Sequence, residues 1–149
     1  MTIDDLSQHM AEAGSLDRAA VPLGLFLAWC GNLHLVSRSF QEAHEGPLLR
    51  LRYRELAPTE FLTTTTGGSL DTDHLSEEGR SFVASYYGAY LDDLREVFGG
   101  DLYGVKGDWS AYERMAGVVT RRYMDWKNGR EVSSPGAGAL TRWWRRLRS

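Results

Sequence analysis

The sequence predicts an all-α fold: a single compact domain of five to six helices around a central apolar helix, followed by a basic Trp/Arg tail. Three observations lead there. Apolar residues recur at helical spacing in segment after segment. No run alternates apolar and polar residues with the Val, Ile and Thr content of a strand, and isoleucine occurs once. An unbroken non-polar run from Ala19 to Gly31 offers the other helices something to wrap. At 149 residues, 42% hydrophobic and 25% charged, the chain has room for one such core.

Taken in order, "IDDLSQHMAEA" reads as a short first helix with Ile3, Leu6 and Met10 on one side. A long second helix covers about 18–36, with Pro22 tolerable only near its first turn. "FQEAHEGPLLRLRYREL" follows, broken or kinked at Gly46-Pro47, with Leu48, Leu49, Leu51 and Tyr53 as its apolar positions. Pro58 suits the first position of a short helix that Gly67-Gly68 ends. In the next helix Phe82, Val83, Tyr86, Tyr87, Tyr90, Leu94, Val97 and Phe98 share one side, and Glu78, Ser81, Ser85, Asp92 and Glu96 the other. Asp108 is a good N-cap for the last helix, on which Tyr112, Met115, Ala116, Val119, Tyr123 and Trp126 share a face. Residues 1–130 form the helical domain. Residues 131–149 are a linker, "REVSSPGAGA" in context, and a basic tail.

The apolar run spans thirteen residues, short of the roughly 20 that cross a bilayer, so it belongs to a core. The N-terminus carries acids where a signal peptide carries positive charge, which places the protein in the cytoplasm. Cys30 stands alone, which excludes an internal disulfide and a cysteine zinc site and suits a packed, inert thiol.

Net charge is −3, but the final nine residues hold four arginines and no acids. The body is acidic, which disfavours broad nucleic-acid binding because phosphates are repelled. The tail, with Trp143 and Trp144 beside Arg145 and Arg146, suits an acidic partner, a membrane interface, or a clasp back onto the acidic body.

The sequence carries few chemical motifs. Phosphate-loop, nucleophile-elbow and zinc-helix motifs are missing, and the four histidines, His9, His34, His44 and His74, have no ligand spacing. "DTDHLSEE" puts Leu75 and Phe82 where a calcium loop needs oxygen, so a turn and helix start fits better, capped through Ser76. Asp92 and Asp93 are adjacent, but helical neighbours diverge by about 100° and do not make a proton-sharing dyad. Tyr86, Tyr87 and Tyr90 read as core, and His34 as a core or boundary side chain. No metal and no cofactor is expected, and the chain is not expected to be an enzyme. An acidic face of Glu78, Asp92, Asp93 and Glu96 is the candidate partner-binding surface, with "TGGSLDTDH" and "GGDLYGVKGD" as alternative docking loops.

"GLFLAWCGNLHLVS", "RELAPTEFL", "FVASYYGAYLDDL" and "WSAYERMAGVVTRRYMDWK", in that order, resemble a family of small all-helical bacterial proteins encoded beside polymorphic or type VI secretion toxins. The resemblance covers about residues 17–128. It implies an immunity protein that binds a cognate toxin in the cytoplasm and blocks it by direct contact. It supplies no catalytic residues; its matching positions, Phe26, Trp29, Phe61, Tyr86, Tyr87, Tyr123 and Trp126, read as core. An acidic body would steer quickly onto a basic toxin such as a nuclease. The alternative is a helical adaptor recruited to a membrane surface or acidic partner through Trp143, Trp144, Arg145 and Arg146. An enzyme with a composite pocket, reversing a toxin's modification, is a third reading.

Overall fold

The computed structural model describes residues 1–132, and the tail, including Trp143, Trp144, Arg145 and Arg146, lies outside the described residues. The chain runs β1 (Thr2–Asp5), α1 (Ser7–Ala13), α2 (Leu16–Asn32), α3 (Arg38–Ala43), α4 (Glu45–Arg52) and α5 (Pro58–Thr65). It continues through β2 (Ser69–Asp71), a 3₁₀ turn at Thr72–His74, α6 (Glu77–Val97) and α7 (Trp109–Lys127). The fold is mostly helical, as the periodicities require, with one small antiparallel sheet that they do not.

α2 is the centre. All residues from Ala19 to Gly31 are buried, the same stretch that reads as unbroken apolar sequence. It starts at Leu16, two residues earlier than expected, capped by Ser15, whose hydroxyl accepts the Arg18 N–H. Pro22 therefore lies in the second turn, where it has no N–H to give the Arg18 carbonyl. The Pro22 carbonyl in turn accepts the Tyr90 hydroxyl at 2.7 Å, tying α2 to α6. Gly24 lets α5 approach closely: a Cβ there would stand 2.9 Å from the Thr59 Cα. Phe26 and Trp29 meet Phe82, Tyr90 and Tyr123 from α6 and α7 in tilted and edge-on contacts. The Trp29 indole N–H also donates to the Thr120 hydroxyl at 3.0 Å. Such rings, fully buried, contribute on the order of 2–3 kcal/mol each.

α2 stops at Asn32, and residues 33–36 turn away. His34 takes a left-handed φ of 59°, and Leu35 N–H returns to the Cys30 carbonyl at 2.9 Å. This frees Val36 to bridge Leu75, with Ser76 N–H on the Leu35 carbonyl at 2.8 Å. The next helix is broken earlier than expected, at His44, because Pro47 sits in the first turn of α4, where its missing N–H costs nothing. On α4, Leu48 and Leu51 are buried, while Leu49, and Tyr53 just past its end, face solvent.

The N-terminus corrects the expected first helix. Residues 2–5 pair with β2 in the register Thr2↔Asp71, Asp4↔Leu70 and Asp5↔Ser69, with an irregularity between Thr2 and Asp4. The helix begins only at Ser7. α6 and α7 match their predicted faces, capped by Ser76 and Asp108, whose side chains accept the Gly79 and Ala111 N–H groups. Val132, beyond the expected end of the domain, is buried. No helix among the described residues is long and apolar enough to cross a membrane.

Candidate functional site

Of the four acidic residues of the candidate face on α6, Glu78, Asp92 and Glu96 are exposed, as the sequence suggests, and Asp93 is not. Asp93 is buried at 4% exposure, and its carboxylate receives the Arg122 guanidinium and the Tyr86 hydroxyl, which donates at 2.8 Å. The reason is its position: Asp93 follows Tyr86 by seven residues and so shares its inward face. Glu78 accepts the Tyr123 hydroxyl at 2.7 Å and pairs with Lys127 at 3.2 Å; both bonds, the phenol's first, hold its carboxyl below the ordinary value. Asp92 pairs with Arg95 one turn on. Glu96 is exposed and edges a small depression of about 340 Å³ beside Arg121, Arg122 and Asp125. Asp92 and Asp93 do diverge, one outward and one inward, so they make no dyad.

A different cluster gathers more chemistry. β1 carries Asp4 and α1 carries His9, both about 96% buried. The Asp4 carboxylate accepts three donors: the Asp5 N–H at 2.8 Å, the His9 Nε2–H at 2.8 Å and the Tyr87 hydroxyl at 2.6 Å. On the far side of the imidazole, His9 Nδ1 lies 2.6 Å from the Tyr103 hydroxyl. The result is a continuous relay, Tyr87–Asp4–His9–Tyr103, joining β1, α1, α6 and the segment after α6. Burial first, then Asp4, pushes the Tyr87 phenol far above its ordinary range. Burial first, then the Glu12 carboxylate, raises that of Tyr103.

Two depressions flank Tyr103. One, about 340 Å³, opens over the relay between Glu12, Gly88, Leu91 and Arg95. The other, about 730 Å³, is a groove between the start of α2, the start of α5 and the segment Tyr103–Gly107. Its floor is apolar, from Leu6, Ala20 and Val21, and its rim carries Asp17, Arg18, Glu60 and Lys106. Leu16 beside it is 61% exposed. Gly107 lets the segment close over α5, since a Cβ there would stand 2.3 Å from the Thr59 methyl. The "GGDLYGVKGD" segment is thus one wall of the largest groove described, fixed from behind by His9.

In the sequence His9 is one isolated histidine among four, and nothing marks Asp4. Their spacing carries no helical or strand signal, because a strand-to-helix corner separates them. The other histidines stay apart from it. His34 is exposed, its Nδ1 accepting from the Arg52 guanidinium at 2.9 Å. His44 and His74 flank the Phe40 ring. Cys30 is fully buried, which pushes its thiol far up and leaves it unreactive. No three His, Cys, Asp or Glu side chains among the described residues converge as a metal site would require. The tyrosines read as core do line it: Tyr86 and Tyr90 are fully buried and Tyr87 partly so.

A family model described as "Domain of unknown function (DUF7832)" matches residues 2–105, a span that contains Asp4, His9, Tyr87 and Tyr103. No curated protein and no solved structure matches the chain.

Proposed function

We propose that this chain, which belongs to the family of the DUF7832 domain of unknown function, is an immunity protein that neutralises a cognate bacterial toxin in the cytoplasm by binding it directly. The observation that carries the reading is the groove walled by Tyr103–Gly107. An apolar floor within a charged rim is the anatomy of a surface that seats one or two anchor side chains of a protein partner. The relay behind Tyr103 holds that wall in place before binding, so little ordering cost is added on association.

Charge supports the same partner. Residues 1–132 carry 13 basic and 20 acidic side chains, a field that draws in a basic protein such as a nuclease and competes with its nucleic acid. The paired states of Glu78, Asp92 and Asp93 make α6 the weaker docking face. The adaptor alternative rests on Trp143, Trp144, Arg145 and Arg146, which lie outside the described residues.

The test is co-expression with a candidate cognate toxin, in cells that the toxin alone kills. Survival together with a one-to-one complex of the purified proteins is the expected result. Unrescued killing, or no complex at micromolar concentrations, contradicts the proposal.

A further inference from the structure

α4 carries a second surface, at the far end of α2 from the groove. Leu49 and Tyr53 stand in water there at 54% and 71% exposure. The helical turn runs on through Tyr53, whose N–H donates to the Leu49 carbonyl at 3.2 Å. Gly46, Leu49 and Tyr53 therefore follow at i, i+3 and i+7, a single outward strip opposite the buried Leu48 and Leu51. Gly46 leaves open space above its end of the strip, where a Cβ would meet nothing within 4 Å. Tyr53 is thus a knob at one end and Gly46 a gap at the other. Beside the strip lies a depression of about 500 Å³, lined by Leu48 and Leu49 together with Glu42, Glu45 and Arg52.

Charge decides what fits. Glu45 and Arg52 are seven residues apart, so they lie on the same flank of the strip, the acid at the helix start and the base at its end. Both are exposed, and no salt bridge among the described residues uses either. A face with knob and gap, acid and base, at opposite ends of one short helix is complementary to itself turned end for end. We propose that a second copy of this chain docks here, through an antiparallel pair of α4 helices about a two-fold axis near Leu49. Antiparallel helices bring like flanks together. Tyr53 of each copy then meets Gly46 of the other and enters its depression, Leu49 meets Leu49, and Glu45 meets Arg52 on both sides of the axis. Arg50 lies on the other flank, where its long stem keeps the guanidinium in water. The apolar contact is small, which makes the dimer a reversible one with a Kd in the micromolar range. The seventeen residues of α2 span about 25 Å between this face and the Tyr103–Gly107 groove. Pairing leaves both grooves open, and the inference does not rest on their binding a toxin.

Sedimentation velocity of the full chain over a concentration series tests it. The expected result is a monomer–dimer equilibrium in the unaltered chain. Glu45→Arg and Arg52→Glu each set like charges opposite one another and should weaken the dimer at least about tenfold. An equimolar mixture of the two variants should recover association as a heterodimer, because both contacts across the axis then pair opposite charges. That recovery also shows that each variant is folded. A chain that stays monomeric throughout the micromolar range would overturn the proposal, as would a mixture that fails to recover. A dimer indifferent to both reversals would overturn it too, and is the outcome expected if the basic tail, through Trp143 and Trp144, made the contact instead.

Discussion

Arg122 on α7 holds both oxygens of Asp93 on α6, through Nε and Nη2, each at 3.0 Å. The Asp93 side chain is 5% exposed and that of Arg122 31% exposed, so one end of the pair is dry and the other touches water. The contact raises the Arg122 guanidinium further above its ordinary value, chiefly through the hydrogen bonds from it to Asp93. It joins two long amphipathic helices whose apolar faces alone would permit several registers.

Asp93→Ala should therefore cost about 3 kcal/mol, at the lower end for a broken buried pair because Arg122 can turn to solvent. It also strands the Tyr86 hydroxyl. Urea unfolding of the variant checks the figure. The double variant with Arg122→Ala should recover part of the loss, since no unpaired charge then remains.

Two glycines in helix interiors should respond oppositely to alanine. At Gly24 the new Cβ meets the α5 backbone at 2.9 Å, so Gly24→Ala forces α2 and α5 apart and should cost about 1–3 kcal/mol. At Gly88, in the middle of α6, a Cβ meets nothing within 4 Å. Gly88→Ala should gain about 0.5–1 kcal/mol from helix propensity alone. Thermal melts of both variants give the two signs directly.

His74 predicts a pH dependence. Its Nδ1 accepts the Asp71 N–H at 3.0 Å, a bond that only the neutral ring makes when Nδ1 is unprotonated. Burial lowers its pKa below the ordinary 6.5, outweighing the pull of Asp71 and Asp73 in the other direction. The unfolded chain thus takes up the proton more readily than the folded one. The contribution of His74 to stability is complete above about pH 6.5 and is lost as pH falls below that value toward the folded pKa. His74→Asn, which retains an acceptor and cannot titrate, should lose less melting temperature between pH 7 and pH 5 than the unaltered chain. Equal losses would show that other groups carry the acid limb.

On α6, the charge reversals Asp92→Lys and Glu96→Lys together should leave helicity unchanged and reduce toxin affinity only modestly, through slower association. Stopped-flow association rates at two salt concentrations separate this steering effect from loss of a docking contact.

Much of the helical body was legible because its signals are local. Ser76 and Asp108 cap within one turn, and the Ala19–Gly31 run buries itself whatever it packs against. β1 was not legible. Four residues of "TIDD" are too few to set a period, their partner lies more than sixty residues away, and Ile3, Leu6 and Met10 satisfy a helical spacing equally well. Pro22 and Pro47 were misplaced by a few residues because the helix starts, at Leu16 and Glu45, depend on tertiary contacts as well as caps. The candidate site was the least legible part. Asp93 carried a usable signal, its seven-residue step from Tyr86, which the adjacent Asp92 obscured. Asp4, His9 and Tyr103 carried none, since only the corner between β1 and α1 and the return of the chain after α6 bring them together.

The central claim is that the Tyr103–Gly107 groove seats the toxin, and a calorimetric titration with one groove variant tests it most directly. Thr63 is exposed on the groove's edge, so Thr63→Arg fills the groove without touching the core. The account predicts that toxin binds the unaltered chain one-to-one in the nanomolar range and binds Thr63→Arg at least about tenfold more weakly, a difference of about 1.4 kcal/mol. Undiminished affinity in a folded Thr63→Arg variant would contradict it and return the search to the Glu96 end of α6.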